Sequence, residues 1–128
     1  MLERLYIEAT ENMPRVVLDE KEGKFMLSGR SLPENTEKAY RPIIDWITRY
    51  VENPLKETVF EINLDYYNST SLKKMVDILL LFKTANDSGK SKVKVIWYYE
   101  DGDEGSRDNG EDICYAVNLP VEVKMRDF

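Results

Sequence analysis

The sequence predicts an α/β fold in a single domain over residues 1–128: one mixed β-sheet that opens with an N-terminal hairpin and carries two long helices. Three observations lead to it. Two segments, 35–52 and 69–86, repeat apolar residues at helical spacing. Several shorter segments alternate apolar with polar residues or are rich in β-branched and aromatic ones. In the second half strands and helices take turns, and strand–helix–strand steps of that length need right-handed crossovers into a mostly parallel sheet.

Each element has its own signal. Arg4 to Thr10 (RLYIEAT) alternates and reads as a strand. Arg15 to Leu18 follows Pro14 as a second short strand, Asp19 to Gly23 (DEKEG) is a polar turn, and Lys24 to Ser28 returns, so this pair is a hairpin. Gly29 to Asn35 punctuates the chain before the first long helix. Two starts compete there: a capping box from Ser31 to Glu34, and Asn35 as a cap just after Pro33. Pro42 favours the later start, because proline is tolerated in the opening turns of a helix and kinks later ones. Tyr40, Ile43, Ile44, Ile47, Tyr50 and Val51 form its apolar stripe, and Asn53-Pro54 ends it.

Glu57 to Leu64 (ETVFEINL) is the next strand. The second helix begins near Ser69 and runs to Asn86, with Leu72, Met75, Val76, Leu79, Leu80 and Phe82 on a broad apolar face and Gly89 just past its end. Lys92 to Tyr99 (KVKVIWYY) is a central-strand candidate. Residues 100–112 (EDGDEGSRDNGED) hold no apolar anchor and many acids and glycines, which predicts a mobile acidic loop with at most one helical turn near Glu111 to Tyr115. Pro120 to Met125 alternates again as a last strand.

Composition narrows function. The 128 residues are 42% hydrophobic and 33% charged, which fits a globular chain with its own core. A net charge of −6 argues against nonspecific binding to nucleic acid or to an anionic membrane surface. The one cysteine, Cys114, cannot form an internal disulfide and reads as a small apolar residue, and the start carries no signal-peptide pattern, so the cytoplasm is expected. No apolar run is long enough to span a membrane. Asn68-Ser69-Thr70 and Asn86-Asp87-Ser88 match the N-glycosylation pattern, by accident in a chain with no export signal.

There is no histidine, which removes the commonest general base and metal ligand and the usual protease constellations. Phosphate-cradling glycine motifs are missing. Counted from Asp101, the acidic stretch puts Gly105 and Ser106 where a calcium loop needs an acid or amide and then glycine, so no metal and no cofactor is expected. Asp45 beside Arg49, and Asp77, read as helix-face acids that pair with nearby cations. Trp46, Trp97, Tyr66, Tyr67, Tyr98 and Tyr99 would suit an interface, but core packing is the stronger reading. The chain is not expected to be an enzyme.

What remains is YYNSTSLKKM, residues 66–75, with an amide and three hydroxyls in a row between a strand and a helix. One of them suffices as a cap, contributing about 1 kcal/mol. A phosphate on Ser69 would add a charge of about −1.5 to −2 where the helix dipole and free amides favour an anion, with Lys73 one turn on. It would leave the fold intact and change the surface, as a recognition switch does.

Two blocks carry a family resemblance. SGRSLPENTEKAYRPIIDWITRY (28–50) and YYNSTSLKKMVDILLLF (66–82) resemble the SiaC family of bacterial regulatory phosphoproteins, and order and spacing agree along most of the chain. The resemblance implies a STAS-like fold, similar to anti-sigma-factor antagonists. It implies phosphorylation by a Ser/Thr protein kinase, reversal by a PP2C-type phosphatase, and regulation of a target, a diguanylate cyclase in cyclic di-GMP and biofilm signalling. The family's phosphorylated residue directly follows Asn68, which makes it Ser69, with Thr70 the alternative if the register slips by one. The implied partner-binding surface comprises Tyr66, Tyr67, Asn68, Ser69, Thr70, Ser71 and Lys73. Residues 102–110 depart from members that look helical there. A small-molecule-sensing STAS-like domain, with Trp97 to Tyr99 lining a pocket, is the rival reading.

Overall fold

The computed structural model describes residues 1–126; the side chain of Cys114, and with it the reading of that thiol as apolar filling, lies outside the described residues. Nine elements follow one another: β1 (Leu5–Ile7), β2 (Arg15–Asp19), β3 (Lys24–Ser31), α1 (Thr36–Tyr50), β4 (Glu57–Tyr67), α2 (Ser69–Asp87), β5 (Lys92–Tyr99), α3 (Glu104–Val117) and β6 (Val121–Met125). They build one six-stranded sheet in the order β1-β2-β3-β4-β5-β6. β1, β2 and β3 pair antiparallel, whereas β3 to β6 are parallel.

Every parallel step moves to the next strand in the same direction. Right-handed crossovers therefore lay α1, α2 and α3 side by side on one face. The strands record this in their alternation. Val16, Leu18, Phe25, Leu27, Phe60, Ile62, Val93, Val95 and Trp97 point to the helices and are sealed from water. Lys24, Val59, Glu61, Lys94 and Glu122 point to the bare face, where Lys24 pairs with Glu61 at 3.2 Å. Between the layers, Phe25, Trp46, Tyr50, Phe60 and Phe82 form a chain of tilted and stacked rings at 4.9–6.4 Å.

The helix starts follow their caps. Asn35 Oδ1 accepts from the Lys38 amide at 3.1 Å, so the later of the two competing starts is the real one, and α1 runs through Pro42 to Tyr50. Asn68 Oδ1 accepts from the Ser71 amide at 2.9 Å, and Gly89, at φ +78°, follows the end of α2.

The acidic stretch corrects the sequence reading: it is a third helix and not a mobile loop. Asp103 caps it by accepting from the Ser106 amide at 3.0 Å. Ser106, Gly110, Ile113 and Val117 form its buried stripe, and every acid between Glu100 and Asp112 faces solvent. The stripe rests on Trp97, whose Nε1 donates to the Ser106 carbonyl at 3.0 Å. A Cβ on Gly110 would lie 2.6 Å from Trp97 Cδ1, so only glycine fits this contact. Gly110→Ala is thus expected to destabilise the protein by about 1–3 kcal/mol in urea melts, with a change in Trp97 fluorescence. Gly105→Ala is the control: its Cβ would make an ordinary 3.7 Å contact with Asp103 Oδ1, so the melt should hold or improve by up to about 1 kcal/mol.

Candidate functional site

The hydroxyl cluster lies where β4 passes into α2, at the sheet end from which the parallel strands leave for their helices. Asn68 is half-buried, and its side chain serves as the cap. The same Oδ1 that takes the Ser71 amide also accepts from Thr70 Oγ1 at 3.1 Å. Thr70 Oγ1 lies 2.8 Å from Thr36 Oγ1 at the first turn of α1. Since the Thr70 proton goes to Asn68, Thr36 is the donor of that pair. Ser69 is different. It is exposed at the first position of α2, and its hydroxyl makes no hydrogen bond among the described residues.

Beneath this surface lies a closed chain of hydroxyls. Ser71 Oγ donates to the Ser31 carbonyl at 3.0 Å, and Ser31 Oγ donates to Ser71 Oγ at 2.7 Å. With both serine protons committed, the short contact between Tyr40 and Ser31 must have Tyr40 as donor. The Ser31 carbonyl also accepts the Asn68 amide at 3.0 Å. Ser31, Tyr40 and Ser71 are all fully buried. Burial pushes the Tyr40 phenol above its ordinary value of 10.0.

Beside the cluster a groove of about 700 Å³ opens between the starts of α1 and α2, bordered by Asn35, Thr36, Glu37, Thr70, Lys73 and Asp77. Lys74 is held there by Glu37 and lies 3.7 Å from Asp77, and its ammonium holds the Glu37 carboxyl below the usual carboxylate range. Lys73 is exposed and makes no ion pair among the described residues, so it is the available cation one turn from Ser69. Among the described residues, no group of three His, Cys, Asp or Glu is placed to hold a metal.

The family model for SiaC family regulatory phosphoproteins matches residues 7–126. The chain belongs to the SiaC family. A Pseudomonas aeruginosa relative of strain UCBPP-PA14, an uncharacterised protein, is 28% identical over 96% of this chain and 97% of its own. Among solved structures, apo-SiaC from Pseudomonas aeruginosa superposes with a TM-score of 0.86 at 26% identity, covering 96% of this chain and 99% of that one. A chain of the crystal structure of the diguanylate cyclase SiaD in complex with its activator SiaC, from the same organism, gives a TM-score of 0.87 at 27% identity over 95% of this chain and 99% of that one. Fold and family thus agree with the resemblance carried by the two sequence blocks. The helical run over 104–117 also removes the departure from helical SiaC members expected there.

Of the residues singled out from sequence, Tyr66, Ser69, Thr70 and Lys73 are exposed, and Thr70 and Lys73 line the groove. Tyr66 stacks under the Arg30 guanidinium at 5.9 Å. Ser71 must be withdrawn from the contact surface: its side chain is 0% exposed and belongs to the core. Tyr67 is half-buried, edge-on to Trp97 at 5.7 Å, and its OH accepts from Asn109 at 2.9 Å, so it docks α3. Trp97 is sealed beneath that helix, so of the three aromatics proposed to line a sensor pocket only Tyr98 and Tyr99 are half-exposed. Sequence reasoning missed Ser31, Tyr40 and Thr36. One signal was available, because crossovers stepping in one direction place the starts of α1 and α2 side by side.

The two neighbouring serines should respond in opposite ways. Ser71→Ala leaves the Ser31 hydroxyl without its buried acceptor and is expected to cost about 1–3 kcal/mol in urea melts. Ser69→Ala should stay within about 0.5 kcal/mol of wild type. Tyr40 adds a pH test. The folded state keeps a phenol proton that the unfolded chain releases near pH 10.0, so this stabilisation is full below that pH and lost above it. Tyr40→Phe is expected to be less stable at neutral pH and to lose less stability than wild type on going to about pH 11.

Proposed function

We propose that this chain is a non-enzymatic, partner-switching regulator acting as one domain in the cytoplasm, and that reversible phosphorylation of Ser69 sets which partner it binds. One observation carries the reading. Of the three hydroxyls at the junction, Ser69 alone is exposed and without a hydrogen bond among the described residues. Thr70 is committed to Asn68 and Thr36, and Ser71 is buried. A kinase can reach the Ser69 oxygen without breaking a contact.

A Ser/Thr protein kinase transfers the γ-phosphoryl of ATP to Ser69 Oγ, releasing ADP, and a PP2C-type phosphatase hydrolyses the ester. The amides of Ser69 and Thr70, in the first turn of α2, find no backbone acceptor among the described residues and can hold the phosphate with the helix dipole and Lys73. The fold need not move. What changes is the surface formed by Tyr66, Asn68, Ser69, Thr70 and Lys73. A partner that buries this surface against the unmodified serine would have to bury an unpaired dianion after modification, which is strongly unfavourable. The partner we assign is a diguanylate cyclase, since a SiaC relative has been solved bound to one as its activator. Cyclic di-GMP output, and with it biofilm formation, would then follow the phosphorylation state.

Intact-mass spectrometry with fragment mapping of protein isolated from its native cells tests the site. One phosphate on Ser69, lost in Ser69→Ala, is expected; a phosphate on Thr70 sinks the assignment. Binding to the organism's own diguanylate cyclase tests the switch. The unmodified chain should bind and the phosphorylated chain should bind at least about tenfold more weakly; equal affinities would reject switching at this residue.

A further inference from the structure

We infer that the outer edge of β1 is a docking surface for a second copy of this chain, with the two β1 strands pairing antiparallel about a two-fold axis at Tyr6. This does not rest on the phosphorylation reading. β1 is the first strand of the sheet, and among the described residues no strand pairs with its outer side. The hairpin after it fixes which backbone groups face outward. At the β2–β3 turn the Gly23 amide donates to the Glu20 carbonyl at 3.3 Å, and among the described residues the Glu20 amide gives no bond back to Gly23. The reciprocal bonds that close the hairpin therefore fall one step on, at the Asp19–Lys24 pair. By alternation along β2, Asp19, Val17 and Arg15 bond to β3, while Leu18 and Val16 bond to β1. Their partners Leu5 and Ile7 thus bond inward, and Tyr6 turns its amide and carbonyl to the edge, with Arg4 and Glu8 on either side. Among the described residues the backbone groups of Arg4 and Glu8 have no hydrogen-bond partner.

Charge and apolar pattern select one register. An antiparallel pair centred on Tyr6 joins the two Tyr6 residues by reciprocal amide–carbonyl bonds. It sets Arg4 opposite Glu8 of the second copy, and Glu8 opposite that copy's Arg4. Both residues are exposed, and neither has an ion pair among the described residues. Moving the axis to Arg4 or to Glu8 sets like charges face to face. Moving it to Leu5 sets Ile7 against Glu3, and moving it to Ile7 leaves Arg4 opposite Thr10. On the helix side the Tyr6 register brings Leu5 against Ile7 of the second copy. These are non-hydrogen-bonded positions, where opposed side chains come closest. Leu5 and Ile7 pack against the core and stay only half-buried, so a neighbouring strand would complete their cover. On the bare face Tyr6, 45% exposed with the Arg15 guanidinium 5.3 Å from its ring, would meet the Tyr6 of the second copy. Charges at an edge normally discourage strand pairing. These are self-complementary, and a two-fold contact closes as a dimer instead of propagating.

A strand addition this short buries less than a standard interface, so the dimer should be weak and concentration-dependent. Sedimentation of the full chain over a range of concentrations, with circular dichroism to check folding, tests the proposal. Wild type is expected to dimerise. Arg4→Glu and Glu8→Arg should each weaken the dimer by roughly tenfold or more, because every dimer then holds two like-charge pairs. An equimolar mixture of the two variants should associate again, as each opposed pair regains one acid and one base. Tyr6→Pro removes an amide that points away from β2, so it should leave the chain folded and monomeric. A wild type that stays monomeric at all concentrations overturns the proposal, as does a dimer that Tyr6→Pro leaves intact. A dimer that both charge variants leave intact, or a mixture that fails to associate, overturns the register.

Discussion

Tyr40 donates to Ser31, Ser31 to Ser71, and Ser71 to the Ser31 carbonyl, a sealed chain of hydroxyls in which each proton has its acceptor. It joins the end of β3, the second turn of α1 and the first turn of α2 at one point. Ser69 sits two residues from that point and owes its position to it. A polar chain inside a core is favourable only when every member is satisfied, because a buried donor without a partner costs more than the bond contributes. The first turn of α2 therefore has one place to sit, and a group added on its outside meets a rigid support.

The topology does the rest. Parallel steps in one direction gather the starts of α1 and α2 at one end of the sheet, where the Asn35 and Asn68 caps and the Thr36–Thr70 contact lie together. All three helices crowd one face, leaving the other, with its cross-strand ion pairs and scattered apolar side chains, open to water. Surface adjustable by chemistry and surface built for packing are thus kept apart within a small protein.

Much of this was legible in the sequence, for local reasons. Asn35, Asn68 and Gly89 punctuate the two long helices whatever the tertiary context, and the alternation in 92–99 marks β5 to the residue. The third helix was not legible, because its packing partner lies elsewhere in the chain. Gly105 and Gly110 lower its helix propensity, and its contact stripe begins with Ser106 and Gly110, which look like loop residues until Trp97 is placed against them. The sequence also could not tell Ser69 from Ser71. Both are hydroxyls near a cap, and only the fold turns one to solvent and the other to Ser31.

The acids of α3 have an effect beyond their own helix. Residues 100–112 hold seven acidic side chains and one arginine, which matches the −6 of the entire chain, so the remainder is formally neutral. The net negative charge of the protein is thus concentrated in and just before α3. An approaching molecule would be oriented before it touches, over a range of about 8 Å at physiological ionic strength. A basic collision partner would be drawn to α3 first and would find the β4–α2 junction beside it, so encounter rates should be set by ionic strength even where the final contact is not.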